Sequence, residues 1–257
     1  MTRLISEWLR EPEDRMRICD RRAMEVTGMS MATLAFRAAG LPPAPENALE
    51  RTKAAVVRFT SGEGAIDSFA ESVAAVIRHM GVPAFIAGAC DVAGIHEAIS
   101  SGAEIIFMAD DDRYIAVNVK TGAVAENDFA TVCGYSFGLS AMAGGLKGKE
   151  VTLLGYGRLG RIAFGRLSGE GANVKVYDKG SEKPPLPLTG PVFDATSEGG
   201  WLGAGDIAFG AKIAAPGVPL SLDDEALSVH KGNVLHDPLQ LGTAVMLALA
   251  LKGRMQA

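Results

Sequence analysis

The sequence predicts an α/β fold in two parts, and three observations support this prediction. From residue 54 onward, short apolar runs alternate with stretches of helical spacing, which is typical of a parallel sheet. The first 40 residues lack such runs, and Leu4, Ile5 and Trp8 recur at helical spacing. A glycine-rich turn at 155–160 follows the apolar run 151–154. We therefore expect an N-terminal helical cluster plus a small α/β sheet, followed by a second α/β domain.

Composition narrows the class of protein. The chain has 257 residues, of which 48% are hydrophobic and 21% charged, a balance typical of a globular protein with a substantial core. The net charge of −5 argues against a nucleic-acid-binding surface. The most apolar segments, 130–146 and 239–251, are interrupted by glycines or too short to cross a bilayer, so no membrane association is expected. The three cysteines are far apart without metal-ligand spacing, and the N-terminus is polar, which together predict a cytoplasmic protein.

The N-terminal half contains most of the predicted alternation. Helical residues 2–39 are interrupted at 28–30, and the proline-rich segment 40–45 leads into the sheet. Strands are expected at 54–59, 84–87, 104–108 and 114–119, with helices at 67–80, 92–100 and 131–143. The last of these helices is rich in Gly, Ser and Ala, which suits close packing between domains.

The glycine-rich turn has the spacing of a dinucleotide-binding motif. It reads Gly155, Tyr156, Gly157, Arg158, Leu159, Gly160, between a strand and a helix. The first glycine permits a tight turn, the second lets the backbone approach a pyrophosphate, and the third allows close packing of helix on strand. The helix N-terminus offers unpaired N–H groups to the phosphates. The alternative is a tight turn that binds no ligand, but the surrounding strand–helix–strand order favours a Rossmann NAD-binding domain.

The second strand of this unit, 174–177, ends at Asp178. A carboxylate there can accept hydrogen bonds from ribose hydroxyls and repels a 2′-phosphate, so NAD is favoured over NADP. Further strands are expected at 192–193, 206–209 and 232–235, and a buried helix at 239–251. Thr196 and Pro216 follow strand ends where a nicotinamide could lie.

These elements suggest three domain segments. Residues 1–147 are expected to form a substrate-binding domain, helical over 1–40 and α/β over 51–147. Residues 148–238 would form the Rossmann domain, and 239–257 a helix that packs back on the first domain.

Polar residues follow the strands of both parts, where ligands of open α/β sheets bind. Thr60 and Ser61 could bind a substrate carboxylate or cap a helix, and Asp110 could face the cleft at the end of its strand. His236 could be a general acid or base, or a surface histidine whose polar groups are already satisfied, and Asp237 follows it.

The N-terminal half of the sequence lacks a lysine at the positions where related two-domain dehydrogenases would need one. Two-domain folate and shikimate dehydrogenases resemble this layout but rely on a lysine in the first domain. Between residues 1 and 146 the only lysines are Lys53 and Lys120, and neither is expected at a C-terminal strand end. Acids occupy those ends, which favours a cationic substrate such as an amine.

Blocks along most of the chain resemble the pyrrolysine synthase (PylD) family. They are Val26-Thr-Gly28, Thr60-Ser-Gly-Glu-Gly64, Ser68-Phe-Ala-Glu-Ser72, Ile105-Ile-Phe-Met-Ala-Asp-Asp111, the glycine motif, Pro216-Gly-Val-Pro219 and Pro238-Leu-Gln-Leu-Gly-Thr-Ala244. The resemblance implies NAD-dependent oxidation of the terminal amine of L-lysine-Nε-3R-methyl-D-ornithine. Ammonia would leave, and the remaining amine would close the pyrroline ring of pyrrolysine.

The resemblance also implies roles for individual residues. Asp110 is similar to the family's proton-accepting aspartate, and Thr60 and Ser61 match its substrate-binding turn. Leu4 matches a residue that closes over the substrate, and Asp237 stands where the family carries a glutamate. We thus expect Asp110 and Asp237 to be catalytic, and Leu4, Thr60, Ser61, Asp110 and Asp237 to bind substrate.

Two alternatives to this function were considered. One is another NAD-dependent amino- or hydroxy-acid dehydrogenase, and the other is an NAD-binding regulatory protein without catalysis. The acids at the cleft argue against the regulatory protein, because a sensor needs no proton acceptor. The expected partner is a small dipeptide-like molecule, and the sequence leaves a homodimer open.

Overall fold

The computed structural model describes residues 11–43, 49–61, 68–180 and 183–255. Two helices open this part of the chain, α1 (Pro12–Thr27) and α2 (Met31–Ala38). Gly28 ends α1 in the left-handed conformation, and the Ser30 side chain caps α2 by accepting from the Thr33 N–H. The predicted helix break at 28–30 is confirmed.

The first sheet has five strands in the order β2-β1-β3-β4-β5. They are β1 (Ala54–Arg58), β2 (Ala84–Cys90), β3 (Ile105–Ala109), β4 (Tyr114–Asn118) and β5 (Val124–Glu126), with helices α3 (Phe69–His79) and α4 (Asp91–Ser100). Strands β2, β1 and β3 are parallel, whereas β4 and β5 add as antiparallel strands. The parallel core was predicted, and the short strand β5 was not.

The second sheet is wholly parallel, with the order β10-β9-β8-β6-β7. Its strands are β6 (Glu150–Leu154), β7 (Asn173–Tyr177), β8 (Pro191–Asp194), β9 (Lys212–Ala214) and β10 (Val234–Leu235), with helices α6 (Arg158–Gly169) and α7 (Asp224–His230). From β6 the chain goes to β7 on one side, and from β7 it crosses to β8 on the other side of β6. The C-terminal ends of β6 and β8 therefore flank the point where the strand order reverses, which is where ligands of open sheets bind.

One predicted strand is wrong. Residues 206–209 contribute only an isolated bridge, from Ile207 to Leu188, after a 3-10 turn at Ala204–Asp206. Phe209 is 100% exposed, so the apolar run does not mark a buried strand. The strand instead follows at β9. His230 is buried, and its Nε2 lies 3.2 Å from the Ala204 carbonyl oxygen.

Two long helices join the two sheets: α5 (Asn127–Ala143) and α8 (Gln240–Met255). A Cβ on Gly134 would lie 2.8 Å from Cγ of Leu241, so the glycine allows α5 to approach α8 closely. Helix α8 also packs against α2, α3, β4 and β5. The Asn118 side-chain amide donates to the Ala250 carbonyl (3.0 Å). The close packing predicted for the small residues of α5 is confirmed.

Among the described helices, none has both the length and the apolar character that a membrane span requires.

Candidate active site

A cavity of about 340 Å³ lies between the two sheets. One side is formed by α5 and the first sheet, and the other by the glycine turn, the end of β8, the segment 216–218 and the start of α8. The lining residues central to the site are Tyr114, Asp128, Tyr135, Gly157, Arg158, Leu159, Thr196, Pro216, Val218, Asp237 and Pro238.

The glycine turn has the geometry that its sequence predicts. Gly155 has a φ of +83°, and a Cβ there would lie 2.9 Å from the Ala195 backbone. A Cβ on Gly160 would lie 2.1 Å from the Gly155 carbonyl oxygen. Both positions therefore exclude a side chain, because strand, turn and helix are in direct backbone contact.

Gly157 differs from these two glycines. A Cβ there would meet nothing within 4 Å, and the residue lines the cavity directly before α6 begins at Arg158. A side chain at Gly157 would thus project into open space rather than into protein. This is the geometry of a phosphate cradle, since the first N–H groups of α6 are unpaired within the helix.

The other residues of the motif differ in position. Leu159 lines the cavity, whereas Tyr156 packs edge-on against Phe164 with 5.9 Å between ring centroids. Asp178 is exposed immediately after β7, and the Gly155 N–H donates to the Tyr177 carbonyl (2.8 Å). The β7 tip is thereby held beside the glycine turn, as the predicted ribose contact requires.

Arg158 connects the two halves across the cavity mouth. Its guanidinium forms an ion pair with Asp128 on α5, and its terminal nitrogens lie 3.4 and 3.5 Å from the Asp112 carbonyl oxygen. The glycine turn is therefore linked both to α5 and to the β3–β4 turn.

The cavity side that follows β8 is built around a buried carboxylate. Asp194 is 1% exposed and accepts from the Thr196 N–H (3.0 Å), the Thr196 hydroxyl (2.6 Å) and the Ser221 hydroxyl. Burial raises the pKa of Asp194, and these hydrogen bonds oppose the rise. A Cβ on Gly217 would lie 1.9 Å from the Thr196 carbonyl oxygen, so the 216–218 segment lies directly against Thr196. Thr196 and Pro216 are thus brought together, as predicted.

Asp237 is a buried carboxylate of the predicted site. It is 5% exposed, and its Oδ1 accepts from the N–H groups of Leu239 (3.2 Å) and Leu241 (3.0 Å) at the start of α8. Burial raises its pKa, while the Leu241 N–H and His236 act in the opposite direction. The side chain thus combines a fixed orientation with access to the cavity.

Tyr135 supports Asp237 and was not predicted. Its hydroxyl donates to the Asp237 carbonyl (2.8 Å) and accepts from the Asp237 N–H (2.8 Å). Burial raises the pKa of this phenol well above 10. The neighbouring His236 bonds through Nδ1 to the Ala215 carbonyl (2.7 Å), and burial lowers its pKa. A carbonyl only accepts, so Nδ1 carries the proton of the neutral ring.

Asp110 lies outside the set of cavity-lining residues. It is half-buried at the end of β3, and its Oδ1 accepts from the N–H groups of Asp112 (2.8 Å) and Arg113 (2.7 Å). This carboxylate therefore closes the β3–β4 turn, whose Asp112 carbonyl reaches Arg158 at the cavity mouth. The structure does not bring Asp110 and Asp237 into one cavity.

Thr60 and Ser61 are exposed after β1 and are likewise absent from the cavity lining. The Thr60 N–H (2.8 Å) and hydroxyl (2.5 Å) both donate to the Asp91 carboxylate, which lowers the pKa of Asp91. The predicted role of Leu4 lies outside the described residues. Lys53 bonds the Ser101 carbonyl and Lys120 pairs with Glu104, both away from the C-terminal ends of the parallel strands.

Comparison with known proteins finds similarity to pyrrolysine synthases along most of the chain. Residues 9–125 match the model of "Pyrrolysine biosynthesis protein PylD, N-terminal domain". The chain is 29% identical to a pyrrolysine synthase of Methanosarcina acetivorans, covering 96% of this chain and 98% of that one. It is 28% identical to a pyrrolysine synthase of Methanosarcina barkeri, covering 89% and 90% respectively. The predicted resemblance to the PylD family is confirmed.

Solved structures confirm the fold class. The bifunctional methylenetetrahydrofolate dehydrogenase/cyclohydrolase FolD of Campylobacter jejuni superposes with a TM-score of 0.50 at 12% identity, covering 96% of each chain. A 5,10-methylenetetrahydrofolate dehydrogenase of the silkworm Bombyx mori also gives 0.50 at 14% identity, covering 100% of this chain and 97% of that one. At these identities the likeness concerns the fold alone.

Proposed function

We propose that this PylD-family protein is a pyrrolysine synthase that uses NAD to oxidise the terminal amine of L-lysine-Nε-3R-methyl-D-ornithine. The observation that carries the proposal is one cavity lined both by the open glycine Gly157 and by the buried carboxylate of Asp237. Two relatives named pyrrolysine synthase, each similar over most of the chain, support the substrate assignment.

The residues around the cavity fit a dinucleotide. Gly157 and the N-terminus of α6 would hold the pyrophosphate, and Asp178 would accept from the adenosine ribose hydroxyls and so favour NAD. Leu159, Thr196 and Pro216 would border the rest of the cofactor. When bound, the nicotinamide accepts a hydride from the carbon that bears the substrate amine.

The chain must supply a proton acceptor, because a protonated amine cannot give up a hydride from its carbon. Asp237 would take this proton, since its carboxylate is fixed at the cavity by the start of α8. Asp110 would assist from the β3–β4 turn, because its Oδ2 has no hydrogen-bond partner among the described residues. The oxidised carbon is then attacked by the ornithyl α-amine, the carbon–nitrogen bond to the terminal amine breaks, and ammonia leaves.

The cavity also limits water around the reacting carbon. Phe69, Leu239 and the buried Val218 line it beside Asp237, so a bound amine would be largely desolvated. A water-poor site strengthens the attraction between the carboxylate and an ammonium group.

The test is direct: the protein, NAD and the synthetic dipeptide are combined, and NADH absorbance is followed together with the mass of the product. We expect NADH, one ammonia and one cyclised product per turnover. The Asp237→Asn and Asp110→Asn variants should lose about 10²–10⁴-fold in rate while still binding NAD. A variant with wild-type rate would remove that residue from the mechanism, and absence of NADH formation by the wild-type protein would contradict the proposed function.

A further inference from the structure

A second cavity, of about 870 Å³, lies on the other side of Asp237. It shares Val218, Asp237 and Pro238 with the first cavity, so the two adjoin at these residues. One of its sides is helix α1 and the opposite side is the segment 218–227 of the second half. A ligand that spans these shared residues would occupy both cavities.

Helix α1 presents one face to this cavity. The residues of this part of the chain that line the cavity follow helical spacing, and they are Glu11, Asp14, Arg15, Ile18, Cys19 and Arg22. Arg15 and Arg22 are two turns apart, and neither guanidinium forms an ion pair or hydrogen bond among the described residues. Arg17, on another face of the same helix, is paired with Asp14. Within the described part of the chain, the cavity thus receives two guanidinium groups that have no protein partner.

The opposite side supplies negative charge and an apolar surface. Helix α7 begins with Asp224, and the preceding Asp223 uses its Oδ1 to cap the Ala226 N–H (2.7 Å). Leu222 is buried and Leu227 half-buried next to these acids. A purely anionic ligand would be repelled by the acids, and a purely cationic ligand would be repelled by the arginines. A zwitterion with an apolar chain fits the arginines, the acids and the apolar surface together.

Two titratable groups in this cavity, the Cys19 thiol and the His236 imidazole, are uncharged at neutral pH. Burial raises the pKa of the Cys19 thiol to about 12, so it stays protonated at neutral pH. Burial lowers the pKa of His236, and the charge of Arg22 acts in the same direction. With Nδ1 bound to the Ala215 carbonyl, the neutral ring leaves Nε2 as an acceptor.

We propose that this second cavity is a subsite for the α-amino-acid end of the substrate. Arg15 and Arg22 bind its carboxylate, Asp224 binds its α-ammonium, and Leu222 and Leu227 cover its methylene chain. The opposite end of the ligand then passes Val218 and Asp237 into the first cavity, where the terminal amine is oxidised. The assignment rests on the proposed function, because the dipeptide substrate carries an α-amino-acid group at the end remote from the reacting amine.

The first test compares substrates and variants. The complete protein is assayed with NAD and either the dipeptide or its analogue in which the lysyl carboxylate is a carboxamide. We expect Arg15→Gln and Arg22→Gln to raise KM for the dipeptide by roughly 10- to 100-fold, as for loss of a charge-assisted hydrogen bond, with little change in the Kd of NAD. With the wild-type protein, the carboxamide should show a KM that is higher than that of the dipeptide by a similar factor. The two variants should raise the KM for the carboxamide little further.

Arg21→Gln is the matched control, because Arg21 is exposed on the same helix and does not line the cavity. It should leave KM unchanged. If Arg15→Gln and Arg22→Gln behave like this control, or if wild-type protein uses acid and carboxamide equally well, the subsite assignment is wrong even though the proposed function holds.

The second test does not depend on turnover. L-Lysine and lysinamide are titrated into the protein and followed by NMR, and we expect L-lysine alone to saturate, with a Kd on the order of 1 mM. Saturation should be lost in Arg15→Gln and Arg22→Gln and kept in Arg21→Gln. If the dipeptide is not oxidised but this pattern appears, the proposed function fails and the subsite stands. Equal binding of L-lysine by all variants, or no binding by any, overturns the subsite.

Discussion

At the scale of single residues, the three glycines of the turn have different constraints. Gly155 and Gly160 would place a Cβ against backbone, whereas Gly157 would place it in open space beside the cavity. The first two are therefore required by the fold, whereas the fold leaves space for a side chain at the third, for which we propose a role in cofactor binding. Substitution of Gly155 or Gly160 should therefore disturb the fold, whereas substitution of Gly157 should affect ligand binding.

The first prediction uses that difference. Gly157→Val should fold normally but weaken NAD binding by about tenfold or more, because the side chain would occupy the pyrophosphate position. Gly165→Val is the control, since a Cβ at Gly165 on α6 also meets nothing within 4 Å but lies away from the cavity. Thermal melting and NAD titration distinguish the two. Equal NAD affinity of both variants would show that Gly157 does not contact the cofactor.

The second prediction concerns the choice of cofactor. Asp178→Ala should weaken NAD binding and reduce the discrimination against NADP, because the ribose hydroxyls lose an acceptor and a 2′-phosphate loses a repelling charge. Titrating both cofactors into wild-type and variant protein measures the ratio of their affinities. An unchanged ratio would remove Asp178 from cofactor recognition.

The third prediction concerns His236 and pH. Its pKa in the folded protein lies below the usual 6.5, so the stability it contributes is present above that value and is lost as pH falls through the folded pKa. Wild-type protein should lose up to ~1.4 kcal/mol per pH unit more than His236→Gln over this range, because one proton is bound on unfolding. Urea unfolding at about pH 8 and about pH 5.5 measures it. Parallel pH dependences of the two proteins would contradict the assignment.

At the scale of elements, α5 and α8 depend on close approach. Gly134 on α5 leaves space for Leu241 and Val245 on α8, at 2.8 and 3.1 Å from where a Cβ would be. The fourth prediction is that Gly134→Val costs about 1–3 kcal/mol of unfolding free energy through overpacking. The exposed Gly165→Val should cost nearly nothing, since Gly and Val are both poor helix formers. Similar melting temperatures for the two variants would contradict close packing at this site.

The elements that the sequence predicts well are those with strong periodicity or clear capping. The parallel strands β1, β3 and β6 and the helix break at Gly28 belong to this group. Strand β5 was missed because it has only three residues and joins an antiparallel edge. Residues 206–209 were apolar enough to suggest a strand, but Phe209 is fully exposed. The strand lies at β9 instead, because its position is decided by pairing with β8 and not by apolar content alone.

The candidate site was predictable to the extent that motifs mark it. The glycine turn, Thr196, Pro216 and Asp237 line one cavity, as their positions after strands suggest. Tyr135 was not predictable, because it lies in the middle of a helix with no motif and reaches Asp237 only through the tertiary fold. Asp110 follows its strand as expected, yet its Oδ1 serves the β3–β4 turn, a local contact that strand-end position alone does not reveal.

At the scale of the whole molecule, α8 covers the first sheet although the second sheet precedes it in the chain. Tyr114 on β4 shares a hydrogen bond with Thr243 (3.0 Å), and α8 residues 244–248 are fully buried. The fifth prediction is that a fragment of residues 1–147 does not melt cooperatively, because the apolar faces of α5 and the first sheet stay uncovered. Circular dichroism measures this, and co-expression with a 235–257 peptide should restore the transition. A fragment that melts cooperatively alone would contradict the role of α8.

The position of α8 has a consequence for the order of events during synthesis. A ribosome releases β1 to β5 long before it releases residues 240–255, while domains usually fold as units during translation. The face of the first sheet that α8 covers therefore stays exposed while the half of the chain that contains the second sheet is synthesised. Its exposed surface is then a target for chaperones, and slow codons placed before residue 240 would prolong that exposure.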